Sequence, residues 1–229
     1  MEFITAGESH GPCLTAIISG VPSGLRIDAD QIDADLKRRQ SGYGRGARQK
    51  IEQDRVSIES GVRFGVSLGT PIALVIANRD WKHWTNRMAP IGRAPAGLVR
   101  EVTPRPGHAD LVGALKNDTD DCRNILERAS ARETAARVAA GGIAKELLGA
   151  LGVEVFSYVR RIGSAAMEDE VSLADIASYT PTDIELSDVR CPSSEASEKM
   201  KGMIDVARIQ GESLGGEFRV VATGLIPGL

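Results

Sequence analysis

The chain has 229 residues, 42% hydrophobic and 26% charged, the balance of a globular protein with a sizeable core. A formal net charge of −3 disfavours a general nucleic-acid binder, and no apolar run approaches the ~20 residues of a membrane span. Three widely spaced cysteines, Cys13, Cys122 and Cys191, contain no CxxC pair; this disfavours structural zinc or a redox couple and fits a reducing compartment.

The amino terminus, Met-Glu-Phe-Ile-Thr, lacks the basic segment and apolar core of a secretory signal, so the expected location is the cytoplasm. Aromatics are only 4% while glycines number 25, which predicts an aliphatic, alanine-rich core and glycine-rich loops.

In chain order, Phe3 to Ala6 and residues 13 to 21 (CLTAIISGV) predict two short strands joined by the turn Gly7-Glu8-Ser9-His10-Gly11, so His10 lies on a loop. Asp28, with Gln31 three residues later, caps a helix that carries Ile32 and Leu36 at helical spacing and ends in Lys37, Arg38 and Arg39. Residues 56 to 60 and 70 to 77 read as strands of an antiparallel hairpin. Residues 78 to 110, rich in Pro, Gly, Trp and Arg, read as a long loop of the kind that carries function.

The clearest helix begins near residue 121. It runs on through Val138, Ile143, Leu147 and Leu151 to a stop at Gly152, its alanines and paired glycines allowing close packing. A strand over 153 to 161, a polar segment to about 193, a helix near 195 to 210 and a strand over 217 to 224 complete the pattern. No repeat or linker divides the chain, so one domain over 1–229 is expected.

Chemistry-bearing residues collect in four stretches. Glycines around His10 permit positive φ and close approach of a ligand, although an isolated pentapeptide of this kind reads first as a turn with a surface histidine. KRRQSGYGRGARQK, residues 37 to 50, carries six basic residues and no acid. Such a run is ordinarily a solvated loop, yet arginines between flexible glycines also suit closure on phosphate.

In ERASARET, Ser130 and Glu133 fit a capping box. The same helix start, flanked by Arg128 and Arg132, would offer free N–H groups to an anion. RPGHAD sets His108 beside glycine with Arg105 and Asp110 close in sequence. Two loop histidines with phosphate-seeking arginines point to proton transfer at an anionic substrate, and no histidine–acid spacing suits a metal.

In this order, GESHGPCLTAIISGVPSG, RRQSGYGRGARQKIE, RPGHADL and ERASARETAARVAAGGIAK resemble the successive motifs of the chorismate synthase family, and the likeness covers the whole chain. Ala129, where many members carry serine, and Ser67-Leu68, where threonines are common, are departures that leave the pattern intact. The resemblance implies an α+β fold with helices sandwiched between antiparallel β-sheets, typically assembled as a homotetramer.

It also implies a lyase of the shikimate pathway and aromatic amino-acid biosynthesis. The reaction is a 1,4-anti elimination of phosphate from 5-enolpyruvylshikimate 3-phosphate to give chorismate, with reduced FMN as a transient electron donor and no metal. By this likeness His108 assists phosphate departure, and His10 lies by the flavin and protonates it or stabilises its charge. Arg128, Ala129 and Ser130 match a flavin-binding segment, and Arg39, Arg45, Arg48, Arg105 and Arg132 match positions around the substrate or the flavin phosphate.

Family members continue past Leu229 with further flavin contacts, a basic segment and an acid. The ending GLIPGL, directly after an apolar strand, likewise leads one to expect a continuation. The alternative is an inactive shortened form, or a flavin- or phosphate-binding module that binds ligand without releasing phosphate. A nucleic-acid binder using residues 37 to 50 is disfavoured by the acidic balance and the scarcity of aromatic stacking platforms.

Overall fold

The computed structural model describes residues 1–45, 52–168 and 172–228. The chain divides into two compact units, Met1–Arg39 with Ala47–Leu147 and Gln40–Gly46 with Leu148–Leu229, each with its own apolar core.

The first unit is built on a four-stranded antiparallel sheet. Its strands are β1 (Glu2–Ala6), β2 (Cys13–Ser19), β3 (Val56–Ser60) and, after a small hairpin of β4 (Val62–Arg63) and β5 (Val66–Ser67), β6 (Ile72–Ala77), in the order β1-β2-β6-β3. Register sets Leu14 opposite Ile76, Ala16 opposite Leu74 and Ile18 opposite Ile72, so the alternating apolar residues of both strands share one face, sealed from solvent. Helix α1 (Ala29–Gln40) adds Ile32 and Leu36 to this core. Each aliphatic side chain so buried contributes about 1.5–3 kcal/mol.

The expected hairpin is present as the antiparallel pair β3–β6, with β4–β5 forming its connection. Asp28 does cap α1, its Oδ1 accepting from the Asp30 N–H at 2.9 Å. The reciprocal bond comes from elsewhere than expected: the Asp28 N–H donates to Glu146, not to Gln31.

The long helix expected from residue 121 is interrupted. After α2 (Asp110–Lys116), α3 (Arg123–Ala129) stops at Ser130, whose backbone is extended; a 3-10 turn over Ala131–Glu133 then leads into α4 (Thr134–Ala150). Helix α4 contributes Ala135, Ala136, Ala139, Ala140 and Ile143 to the core, while Leu151 beyond its end is exposed. Of the paired glycines only Gly142 serves a close approach: a Cβ there would lie 2.9 Å from Ile32 Cγ1, whereas one at Gly141 would meet nothing. Helix α2 falls where a loop led into residue 110, because Gly113 at its centre hides it. A Cβ at Gly113 would sit 2.3 Å from Ile125 Cγ2, so this glycine sets the spacing of α2 and α3.

The second unit holds the antiparallel sheet β8-β7-β9, from β7 (Glu154–Ile162), β8 (Ala165–Ala166) and β9 (Gly216–Thr223). Within the segment read as merely polar lie two one-turn helices, α5 (Leu173–Ala177) and α6 (Pro181–Glu185). The first starts at a Ser172–Asp175 capping box and the second at Thr180 with Pro181 in its first turn. Helix α7 (Ser194–Gln210) runs from the Ser193 cap to Gly211, which ends it in the left-handed conformation at φ +70°. Tyr158, Ile184 and Met200 are the solvent-free centre of this core.

Candidate active site

His10 is held by the geometry of its loop. Gly7 takes φ +107°, and a Cβ there would lie 2.4 Å from the Cys13 carbonyl oxygen, so only glycine turns the chain at this point; Gly11 has no positive φ. Buried Asn78, immediately after β6, donates to the carbonyls of Glu8 at 3.1 Å and Gly11 at 2.8 Å, and its own Oδ1 accepts from Arg132 Nε at 2.8 Å. Opposite, the Ser9 N–H donates to the Glu127 carbonyl at 2.9 Å and the His10 N–H to Glu127 Oε2 at 2.7 Å.

The imidazole has equally defined neighbours. Nδ1 of His10 lies 2.9 Å from both carboxylate oxygens of Glu127, and Arg123 donates to Oε1 at 3.0 Å. Glu127 is solvent-free; burial alone would raise its pKa, but the hydrogen bonds from His10 and Arg123 prevail and hold it below the ordinary glutamate value. The ring stacks on Trp84 with centroids 3.9 Å apart. Trp84 Nε1 donates to Asp80 Oδ2 at 3.0 Å, and that oxygen lies 4.0 Å from His10 Nε2.

In RPGHAD, Arg105 donates to Asp110 from its backbone N–H at 3.0 Å, from Nε at 2.8 Å and from Nη2 at 3.1 Å. His108 Nδ1 lies 2.9 Å from Asp110 Oδ1 and 3.0 Å from Arg105 Nη2, leaving its Nε2 without a partner among the described residues. Hydrogen bonds from Arg105 chiefly, against the effect of burial, hold the Asp110 carboxyl well below the usual carboxylate range. Arg105 is raised by the same bonds, with the charges of Glu101 and Glu127 adding to the effect. Asp110 opens α2, Glu127 lies on α3, and Gly113 packs these two helices together. The two histidine clusters thus stand on adjoining helices without direct contact between the rings.

The remaining predicted residues of this unit knit the Ser130 turn to the sheet. Arg132 is buried, its Nη1 donating to Asp54 Oδ1 at 2.5 Å and its Nη2 lying 3.7 Å from Glu52. Arg39 donates to the other Asp54 oxygen at 3.4 Å, to the Ala131 carbonyl at 3.2 Å and to Thr134 Oγ1 at 3.1 Å. Arg128 reaches the Thr5 carbonyl at 2.8 Å and Thr5 Oγ1 at 2.6 Å. Ser130 Oγ accepts weakly from the Arg132 N–H at 3.4 Å and its hydroxyl donates to no described residue.

The capping box does not form, because the Glu133 carboxylate turns instead to Thr5 at 2.8 Å and Arg137 at 3.0 Å. Ala129, the last residue of α3, is exposed. Arg45, in the second unit, is exposed and makes no hydrogen bond or ion pair with a described residue, and Arg48 lies outside the described residues.

Glu127, Asn78, Asp80 and Trp84 were not legible as site residues. Their one signal was local: Glu127 follows Arg123 by four residues, the spacing of a helical ion pair, and Asp80 precedes Trp84 by four. Among the described residues no group of three or more His, Cys, Asp or Glu side chains is placed to hold a metal, and no helix is long and apolar enough to cross a membrane.

The family model of chorismate synthase matches residues 1–229. A chorismate synthase of Rubrobacter xylanophilus is 53% identical over 229 residues, covering 99% of this chain and 57% of that protein. One of Symbiobacterium thermophilum is 52% identical over 237 residues, covering 100% of this chain and 59% of that protein. A crystal structure of chorismate synthase superposes with a TM-score of 0.74 at 40% identity, over 96% of this chain and 57% of that one. The chain therefore spans a little under three fifths of the length of these relatives, and shares with them the α+β fold of helices and antiparallel sheets. A family match across every residue, relatives at half identity and a shared fold establish that this chain belongs to the chorismate synthase family.

Proposed function

We propose that the chain carries the proton-handling and anion-binding residues of a chorismate synthase. This is a carbon–oxygen lyase that eliminates phosphate from 5-enolpyruvylshikimate 3-phosphate to give chorismate in aromatic amino-acid biosynthesis. The observation that supports this reading best is that both loop histidines are braced at Nδ1 by solvent-free carboxylates while arginines stand beside them.

His108 holds a proton at Nε2 for the departing phosphate, which is a poor leaving group until its charge is neutralised. Arg105, already oriented by Asp110, binds phosphate or carboxylate oxygens through charge-assisted bonds; Arg45, exposed and without a partner among the described residues, is suited by itself to the same kind of contact. Arg39 and Arg132, whose guanidiniums are held by Asp54, brace the Ser130 turn, Arg39 by donating to the Ala131 carbonyl.

The donor set at Ser130 fits a flavin. Its hydroxyl has no acceptor among the described residues, Arg128 beside it is partly exposed, and Ala129 is exposed. Arg128, Ala129 and Ser130 would hold the reduced FMN, with His10 controlling a proton at its ring. When bound, that cofactor supplies an electron transiently to the substrate. The working form in this reading is a cytoplasmic homotetramer.

Anaerobic mixing of the protein with reduced FMN and 5-enolpyruvylshikimate 3-phosphate, followed by inorganic phosphate and chorismate absorbance, tests the reading. His108→Ala should lower turnover by about 10²- to 10⁴-fold while leaving substrate Kd within a few-fold. Phosphate release by the variant at the unmodified rate, or binding of FMN and substrate without release by the unmodified protein, would overturn it; the second result would favour a binding module.

A further inference from the structure

We infer that Glu127 is the positioning residue of His10: it fixes the neutral imidazole as the Nδ1–H tautomer and confines proton exchange to Nε2. The inference rests on the reading above that His10 handles a proton beside the cofactor. An ionised carboxylate only accepts hydrogen bonds, and both Glu127 oxygens lie 2.9 Å from Nδ1. Glu127 is kept ionised by Arg123, which donates to Oε1 at 3.0 Å. A lone pair on Nδ1 would therefore face two negative oxygens.

The ring has no easy way to turn from this arrangement. The His10 N–H donates to Oε2 of the same carboxylate at 2.7 Å, the Ser9 N–H donates to the Glu127 carbonyl at 2.9 Å, and the Trp84 indole covers one ring face. The tautomer bias equals the worth of a hydrogen bond to a charged group, roughly tenfold to a hundredfold.

A neutral His10 then presents the Nε2 lone pair as an acceptor, and a proton arrives and leaves only there, on the side where Asp80 lies 4.0 Å away. His108 lacks this exclusivity, because its Nδ1 faces a donor, Arg105 Nη2, as well as the acceptor Asp110 Oδ1. The two histidines of the site are thus controlled differently, and Glu127 is the residue that makes His10 single-valued.

The test is a long-range proton–nitrogen correlation spectrum of the full chain with ¹⁵N-labelled histidine, taken where His10 is neutral and assigned by comparison with His10→Asn. A pyrrole-type Nδ1 and a pyridine-type Nε2 are expected. Glu127→Ala removes both acceptor oxygens from Nδ1, and should raise the Nε2–H form by roughly tenfold or more while amide spectra elsewhere stay unchanged. A pyrrole-type Nε2 in the unmodified protein overturns the inference, as does a folded Glu127→Ala with the original tautomer. If that variant does not fold, the unmodified spectrum alone decides. Neither flavin nor turnover is needed, so a failure of phosphate release counts against the proposed function and leaves the tautomer result standing.

Discussion

Arg132 and Asp54 meet at 2.5 Å with both side chains out of solvent, and the same Arg132 holds Asn78, which holds the His10 loop. Removing one partner of a buried ion pair leaves the other charge stranded. Arg132→Met should therefore destabilise the protein by about 3–5 kcal/mol, seen as a lower urea midpoint at unchanged slope. Arg132→Lys should recover only part of this, lacking the planar fork that serves Asp54 and Asn78 together. A midpoint unmoved in Arg132→Met would mean that the guanidinium contributes nothing to the scaffold, and would leave substrate binding as its role.

Stability should fall in acid because of Glu127 and Asp110. Both have folded pKa values below their ordinary ones, so in the acidic range the unfolded chain binds more protons, and the folded state loses its advantage as pH drops. The contribution is complete above the unfolded values of about 4.3 for Glu and 3.9 for Asp and is lost on passing down through the folded values. Urea midpoints from pH 7 to pH 3 should decline more steeply for the unmodified protein than for Asp110→Asn or Glu127→Gln. Parallel curves would show that these carboxylates titrate alike in both states.

Two helical glycines should respond in opposite directions. At Gly113 a new Cβ meets the stiff, β-branched Ile125 at 2.3 Å, and overpacking of this kind costs about 1–3 kcal/mol, more than the helix-propensity gain of about 1 kcal/mol returns. At Gly141 a Cβ meets nothing, so Gly141→Ala should stabilise by about 0.4–1 kcal/mol. Thermal melts of the two variants give the comparison, and a stabilised Gly113→Ala would mean that α2 does not need its close seat on α3.

Arg45 offers a guanidinium with no partner among the described residues. Arg45→Ala should weaken binding of 5-enolpyruvylshikimate 3-phosphate by about tenfold and flatten its salt dependence, since a charge-assisted contact is lost, and Arg45→Lys should restore part of the affinity. Titrations at low and moderate salt that leave Kd unchanged would remove Arg45 from the anion-binding residues.

Local and periodic features were legible from residue order alone. Short apolar, partly β-branched runs in CLTAIIS and IALVIA placed β2 and β6, the spacing of Ile32 and Leu36 placed α1, and glycine-flanked loops set His10 and His108 apart from the third histidine. The family likeness rested on the same feature, contiguous motifs in fixed order. Elements too short to show a period escaped: α5 and α6 have five residues each, and α2 is masked by Gly113.

Which charges meet was set by distant segments folding onto one another. Ser130 and Glu133 have the spacing of a capping box, yet Thr5 and Arg137 take the glutamate, because a carboxylate is bound by the donors nearest in space and β1 brings Thr5 there. Glu127 meets His10 across 117 residues and Arg132 meets Asp54 across 78, separations that leave no periodic trace. Residue types and spacing determined that this chain has loop histidines and arginines suited to an anion. The packing of α3 against the β1–β2 loop determined which ring nitrogen is held, because hydrogen-bond geometry is a property of positions in space and not of order along the chain.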